Sequence, residues 1–212
     1  MSVKAGTKRK ILDMSENLFV EQGYSNTSLR QITTKANVNL AAVNYHFGDK
    51  KTLVRAILDQ YLTKLMPELH DQLIALNKKE SFTVEEVLCA VKVPLMSLNE
   101  WRANGMGRFL LLIANGYSDI QGHLRWFIVN QYGKTLDLFT LSMLKASPDI
   151  NKEQLFWKLH FSLGAFIFAC VSSEALSELA SSSFNSETQP TNIVDQAISY
   201  ISAGFESSTT KQ

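Results

Sequence analysis

Side chains that can bond to nucleic-acid bases and phosphates are concentrated between residues 39 and 51. An Asn amide matches the donor and acceptor pattern of an adenine edge, and small apolar side chains fit the thymine methyl group. Hydroxyl and ammonium groups bind phosphates, and Lys50 and Lys51 stand where a phosphate would pass. The stretch therefore predicts a contact with double-stranded DNA. The candidate residues are Asn39, Leu40, Ala41, Ala42, Asn44, Tyr45, His46 and Lys50.

Two short helices joined by a tight turn are predicted to position these side chains. Thr27 suits the N-cap of the first of them, and Ala36 ends its apolar stripe. Asn37 can adopt the left-handed turn conformation, and Asn39 can cap the next helix, which runs to about Phe47. This is the layout of a helix-turn-helix, whose second helix enters the major groove.

A second interpretation of the same stretch is three ordinary core helices, and the pattern alone favours neither. Three details favour DNA binding: the length of the turn at 36–39, the short third helix whose polar side chains would be exposed, and the lysines that follow. Val43 and Phe47 would point inward from that helix.

The distribution of charge agrees with a DNA-binding N-terminal region. The net charge is only +1, but residues 1–60 hold nine Lys and Arg against five Asp and Glu, and the remainder holds twelve against fifteen. A basic N-terminal third followed by a mildly acidic body suits a polyanion-binding domain attached to a domain with another task.

Helical periodicity runs through the chain, and we predict an all-α fold. The predicted domains are 1–50, with three helices, and 51–212, in which a fourth helix from Asp49 to about Leu76 forms the link. Capping boxes are predicted at Thr83 with Glu86 and at Asn151 with Gln154. The further predicted segments are helices at 119–145, 151–180 and 191–205, a Ser-rich loop at 181–189 and a disordered tail at 206–212. The helix at 151–180 is apolar nearly all round, which predicts that it is covered on all sides.

Residues 9–60 resemble the N-terminal domain of the TetR/AcrR family of bacterial repressors, over about a quarter of the chain. The matching features are Ile11-Leu12, Leu18-Phe19, Gly23-Tyr24, Thr27-Ser28, Ile32, Ala36-Asn37-Val38, His46-Phe47 and Lys50. The resemblance implies an all-helical homodimer that binds a palindromic operator and whose larger domain binds a small molecule. It also implies phosphate contacts at Thr27, Ser28 and Lys50, and a recognition helix over 39–46.

One position departs from the family pattern. The family usually has Tyr at position 44, where this chain has Asn44, and Tyr45 follows. Either Tyr45 supplies the usual phosphate contact or Asn44 contacts a base. The run VNLAAVNYHFG is similar to a narrower branch, the PsrA-like regulators of fatty-acid metabolism.

We predict an apolar ligand site and a subunit interface in the C-terminal region. Arginines among aromatic and aliphatic residues could anchor the carboxylate or phosphate of a lipid, or could instead sit at helix ends facing water. With the branch resemblance, this predicts a long-chain fatty acid or acyl-CoA. The candidate ligand residues are Arg102, Arg108, Phe109, Arg125, Trp126 and Phe166, and the candidate interface residues are Phe161, Phe168, Val171, Ile198 and Ile201.

An enzyme is disfavoured because the sequence has no HExxH, GxxxxGK, GxSxG or paired Glu-x-x-His motif. No metal or cofactor is predicted, and Cys89 and Cys170 suit reduced core residues. The apolar run 161–171 is shorter than the ~20 residues of a membrane span, and no apolar signal segment follows the basic start, so we expect a cytoplasmic bacterial protein. The alternative function is a DNA-bound protein without a mainly transcriptional role, for example in cell division.

Overall fold

The computed structural model describes residues 3–119, 121–184 and 190–206. Within these ranges the regular structure is entirely α-helical, as predicted. The helices are α1 Val3–Gln22, α2 Leu29–Ala36, α3 Leu40–Phe47, α4 Lys50–Asn77, α5 Val84–Trp101, α6 Gly105–Asp119, α7 Gln121–Ala146, α8 Lys152–Val171, α9 Ser173–Phe184 and α10 Pro190–Glu206.

The chain divides into two compact units. The first unit combines Met1–Lys64 with Arg108–Gln131, and the second combines Leu65–Gly107 with Tyr132–Gln212. Helices α4, α6 and α7 each contribute residues to both units. The first unit therefore contains α1, α2 and α3 together with parts of three further helices.

An apolar core fixes α1, α2 and α3 in the first unit. Ile11 of α1, Ile32 of α2 and Val43 of α3 are fully buried, and Phe19 of α1 is nearly so. Burying a side chain of this kind contributes about 1.5–3 kcal/mol relative to leaving it in water. The position of α3 is thus set by its packing on α1 and α2.

Local capping explains where several helices of the second unit begin. Thr83 caps α5 and exchanges hydrogen bonds with Glu86, and Asn151 caps α8 and exchanges them with Gln154. Each pair satisfies two backbone N–H groups that the first turn of a helix leaves without intrahelical partners. Both predicted capping boxes are confirmed.

The predicted helix 151–180 is interrupted. Helix α8 ends at Val171, and α9 starts at Ser173 and continues to Phe184, where a loop was predicted from residue 181. Ser172 and Ser173 stand at the break, and serine competes for backbone hydrogen bonds within helices. The rest of that loop, 185–189, lies outside the described residues, as does the predicted tail except Glu206, which ends α10.

Helix α8 is exposed, although its apolar character predicted burial on all sides. Only Leu155 and Cys170 of this helix are buried within the chain. Large side chains remain in contact with solvent along it: Phe156, Trp157, Phe161, Phe168 and Val171. Among the described helices, α8 alone has the length and apolar composition of a membrane-spanning segment, and a single such helix is weak support for one.

The two cysteines differ in their surroundings. Cys170 is buried, and burial raises the pKa of its thiol to about 11. Cys89 is exposed on α5, so its assignment to the core is wrong.

Candidate nucleic-acid interface

The turn between α2 and α3 has the predicted geometry. Asn37 adopts the left-handed conformation, with φ 52° and ψ 53°, and the N–H of Val38 donates to the Thr33 carbonyl oxygen at 3.0 Å. Asn39 then caps α3, because its side-chain oxygen accepts a hydrogen bond from the Ala42 N–H at 2.8 Å. The three-residue connection 37–39 therefore ends one helix and begins the next with polar groups satisfied.

Helix α3 has one inward face and one exposed face. Val43 and Phe47, four residues apart, are buried against the core. The exposed face consists of Leu40, Ala41, Asn44 and Tyr45, and the Tyr45 residue is 71% exposed. Ala42 and His46 flank this face and are half-buried. Because residues four apart share a helix face, the amide of Asn44 stands beside apolar Leu40 and Ala41, with the Tyr45 ring at the edge.

The start of α2 differs by one residue from the prediction. Ser28, and not Thr27, is the N-cap, and it forms a capping box with Gln31. Thr27 is only 1% exposed, and its hydroxyl donates to the Gly23 carbonyl oxygen at 2.7 Å. Thr27 therefore closes the turn that follows α1, and Ser28 is the exposed hydroxyl at the start of α2.

Lys50 has a structural contact that the sequence did not predict. Its Nζ donates to the carbonyl oxygens of Tyr24 and Thr27, both at 2.8 Å, and lies 3.9 Å from the centroid of the Tyr24 ring. An ammonium group held by two carbonyls and an aromatic face ties the start of α4 to the turn before α2. No local sequence signal indicates this contact, because Lys50 lies 26 and 23 positions from its two partners.

Asp49 caps α4 as predicted. Its carboxylate accepts a hydrogen bond from the Thr52 N–H at 2.7 Å. That backbone hydrogen bond, followed by one to the Thr52 side chain, is the main reason why the pKa of Asp49 is lowered, with smaller contributions from His123 and Lys51. Gly48, at φ 75°, provides the left-handed residue between α3 and this cap.

A buried polar cluster, missed by sequence reasoning, lies behind α1 in the first unit. The Glu16 residue is 1% exposed, and its Oε1 accepts hydrogen bonds from the Tyr61 hydroxyl at 2.6 Å and from Arg108 Nε at 2.5 Å. The Tyr61 phenol is protonated near neutral pH and donates this hydrogen bond, and burial raises its pKa further. We call Glu16, Asn17, Tyr61 and Arg108 the Glu16 cluster.

The six candidate ligand residues do not fall in one unit. Arg108, Phe109, Arg125 and Trp126 belong to the first unit, and Arg102 and Phe166 to the second. Arg108 is held by the Glu16 cluster, and Phe109 is buried with its ring centroid 5.6 Å from that of Tyr61.

The remaining candidates differ in exposure. Arg125 and Trp126 are exposed, and the guanidinium carbon of Arg55 lies 5.6 Å from the centroid of the Trp126 ring. Arg102 caps the end of α5 beside the Trp101 ring, and Phe166 is half-buried.

The candidate interface residues also differ in exposure. Phe161, Phe168 and Val171 are exposed on α8. Ile198 and Ile201 of α10 are buried within the chain, where α10 packs on α8 and α5. An interface in this region would therefore use the first three side chains as its contact surface.

Comparison with protein families assigns both parts of the chain. Residues 11–57 match the model of bacterial regulatory proteins of the tetR family. Residues 90–204, more than half of the chain, match the model of the tetracyclin repressor-like C-terminal domain. The chain belongs to the TetR family.

Individual relatives agree with this assignment. The HTH-type transcriptional regulator TtgR of Pseudomonas putida is 32% identical over 94 residues, which cover 44% of this chain and 42% of the relative. The HTH-type transcriptional repressor Rv3405c of Mycobacterium tuberculosis is 44% identical over 62 residues, covering 29% of this chain and 33% of the relative. The chain thus aligns with less than half the length of these relatives.

The fold is shared with a solved structure over nearly the whole chain. The hemolysin II transcriptional regulator HlyIIR superposes with a TM-score of 0.57 at 18% identity, covering 94% of this chain and 98% of that chain. This likeness shows the fold.

Family membership shows the general character of its members. They are helix-turn-helix, DNA-binding transcriptional regulators, generally repressors, and not enzymes. TetR-family regulators bind DNA and are typically dimeric with small-molecule ligands. Within the described ranges, no three His, Cys, Asp or Glu side chains come together in an arrangement that could hold a metal ion.

Proposed function

We propose that this TetR-family regulator acts in the bacterial cytoplasm as a homodimeric repressor on a palindromic operator and is released from it by a small apolar ligand. The observation that carries the DNA-binding part is the exposed α3 face, where an amide, two apolar side chains and a phenol stand together on a helix held by its buried side. A helix with this face fits the major groove.

The exposed α3 residues are proposed to make different contacts with DNA, some with bases and others with phosphates. Asn44 presents the amide and contacts an adenine edge, while Leu40 and Ala41 meet thymine methyl groups. Tyr45 and Ser28 are exposed hydroxyls at the border of the face and contact phosphates. Thr27 and Lys50 act behind them by fixing the turn that precedes α2.

Asn44→Ala is expected to relax the base preference at one position of each half-site. Losing one bidentate contact removes about 1–3 kcal/mol of discrimination against the wrong base. The measurement is a panel of single-base operator variants titrated by fluorescence anisotropy with wild-type and variant protein.

Tyr45→Phe is the matched variant for this test. It keeps the ring and removes only the hydroxyl, so we expect weaker binding to every duplex in the panel with the rank order unchanged. If the two variants give the same pattern across the panel, the assigned roles of Asn44 and Tyr45 are wrong.

The exposed apolar side chains of α8 support the proposed homodimer. Phe161, Phe168 and Val171 are large side chains exposed on one chain, and contiguous apolar surface of this kind marks interaction sites. Two copies that pair through α8 can place their α3 helices in successive major grooves, about 34–36 Å apart.

The proposed ligand is a long-chain fatty acid or acyl-CoA. The support is the resemblance of VNLAAVNYHFG to fatty-acid regulators and the presence of Arg102 and Phe166 in the second unit. Two α3 helices that are not spaced for successive major grooves cannot both bind the operator. A ligand that favours such a dimer conformation by a few kcal/mol is sufficient for release. Anisotropy of the operator complex with and without oleoyl-CoA tests this, and an operator affinity unchanged at saturating lipid would refute the effector.

A further inference from the structure

One face of α6 runs alongside α1 within the first unit. Arg108, Leu112 and Asn115 lie four and three residues apart and so share a face of the helix. Arg108 contacts Glu16 and Asn17 of α1, and Asn115 Nδ2 donates to the Phe19 carbonyl oxygen at 3.1 Å. Leu112, between them, is buried. Helix α6 is therefore attached to α1 by polar contacts at two positions, Arg108 and Asn115.

Of the two contacts between α6 and α1, the one at Arg108 is the more important, because it pairs a buried charge. A carboxylate as deeply buried as that of Glu16 must be paired and hydrogen-bonded, because removing a charge from water is costly. Arg108 supplies the cation through Nε, and its Nη2 also donates to Asn17 Oδ1 at 2.6 Å. The guanidinium thus grips two successive α1 residues in a fixed geometry that a lysine could not reproduce.

The position of α1 matters because α1 supports the recognition helix. It packs against both α2 and α3, and its residues Ile11 and Phe19 are buried in the core that holds them. Protein cores are closely packed, so a small displacement of one helix also displaces the helices that pack against it. A change in the α6 contact to α1 would therefore be expected to displace the helix on which α3 packs.

We propose that Arg108 and Asn115 are positioning residues for operator recognition, holding α1 at the place where the α3 face fits the major groove. The proposal rests on the DNA-binding function proposed above.

The test compares Arg108→Met, Asn115→Ala and the double variant Glu16→Gln with Arg108→Met, all in the full-length protein. For each, we would measure affinity for an operator selected from randomised duplexes, affinity for random duplex DNA, and the melting temperature. The control is Lys134→Met, an exposed lysine of the second unit, which should leave all three unchanged.

Arg108→Met alone removes the cation paired with a buried carboxylate and is expected to lower both the melting temperature and operator affinity. The double variant also removes the charge of that carboxylate, so its melting temperature should return close to the wild-type value. Its operator affinity should stay about tenfold below wild type, because α1 has lost the Arg108 contact to α6, while affinity for random DNA stays within about twofold. Asn115→Ala is expected to weaken operator binding selectively in the same way.

Recovery of operator affinity together with melting temperature in the double variant would overturn the proposal, because Arg108 would then only neutralise Glu16. If Asn115→Ala binds the operator with wild-type affinity, the contact of Asn115 with the Phe19 carbonyl oxygen does not position α1 for operator binding. A wild-type protein that does not prefer any selected duplex over random DNA would instead refute the DNA-binding function itself. The outcomes for the two proposals are therefore distinct.

Discussion

Phe168→Glu is expected to convert the protein to a monomer and to weaken binding to a full palindrome by about 100-fold or more, since two linked sites bind cooperatively through effective concentration. The side chain is 62% exposed on α8, so the substitution is accommodated in the isolated chain. In a dimer it would place a carboxylate without a partner in an apolar interface. Folding should survive while assembly fails.

Sedimentation velocity and anisotropy titrations against full and half palindromes measure this result. The expected outcome is a monomer with half-site affinity equal to that of the wild type. Leu141→Glu is the matched control, since Leu141 of α7 is also 62% exposed and apolar, and we expect it to remain dimeric. A monomeric Phe168→Glu protein that still binds the full palindrome tightly would contradict the proposed architecture.

Lys50→Met is expected to lower stability and operator affinity together. The Lys50 ammonium satisfies two carbonyl oxygens of the turn before α2, and hydrogen bonds to charged groups contribute about 1.5–3 kcal/mol each before allowance for solvent. Because Lys50 is half-buried, we expect a loss of about 1–2 kcal/mol, a drop of several degrees in melting temperature. Operator affinity should fall about tenfold as Ser28 and α2 lose their anchor.

The salt dependence of binding separates this role from a direct phosphate contact. Removing a phosphate contact lowers the salt slope by about one and leaves stability unchanged. Removing the Lys50 clamp should leave the slope unchanged and lower the melting temperature. Lys51→Met is the control for stability, because Lys51 is exposed in the same turn of α4 and should melt as the wild type does. A reduced slope with unchanged melting in Lys50→Met would show that Lys50 contacts phosphate instead.

Features set by a few neighbouring residues could be predicted from the sequence. Asn37 takes the left-handed conformation, and Asn39 and Asp49 cap the helices that follow them, because the required groups lie within three residues of each other. The same holds for the inward positions Val43 and Phe47, which the helical period fixes.

Features that depend on distant residues could not be predicted. Glu16 and Arg108 are 92 positions apart, and Lys50 reaches Tyr24 and Thr27 across 26 and 23 positions. The sequence pattern showed Arg108 beside apolar residues and therefore suggested a ligand anchor, but gave no indication of its buried partner. The Thr27 error is of the same kind, since either hydroxyl of the Thr27-Ser28 pair can cap a helix and the packing of the preceding turn selects Ser28.

The apolar helix α8 shows a further limit of sequence patterns. Composition predicted that all of its faces would be covered, and the single chain leaves several of them exposed. Apolar periodicity reports which residues avoid water in the functional assembly, and it does not distinguish a core within one chain from an interface between two.

The central claim is that two copies of the α3 face bind one palindrome, and selection from randomised duplexes by the wild-type protein tests it most directly. The account predicts enrichment of an inverted repeat whose half-sites are centred about 10–10.5 base pairs, or a multiple of this, apart. The selected duplex should bind in a strongly salt-dependent manner, and Asn44→Ala should lose preference at one position per half-site. Sequences that show no enrichment over the starting pool, or a single unrepeated site bound by a monomer, would contradict the account.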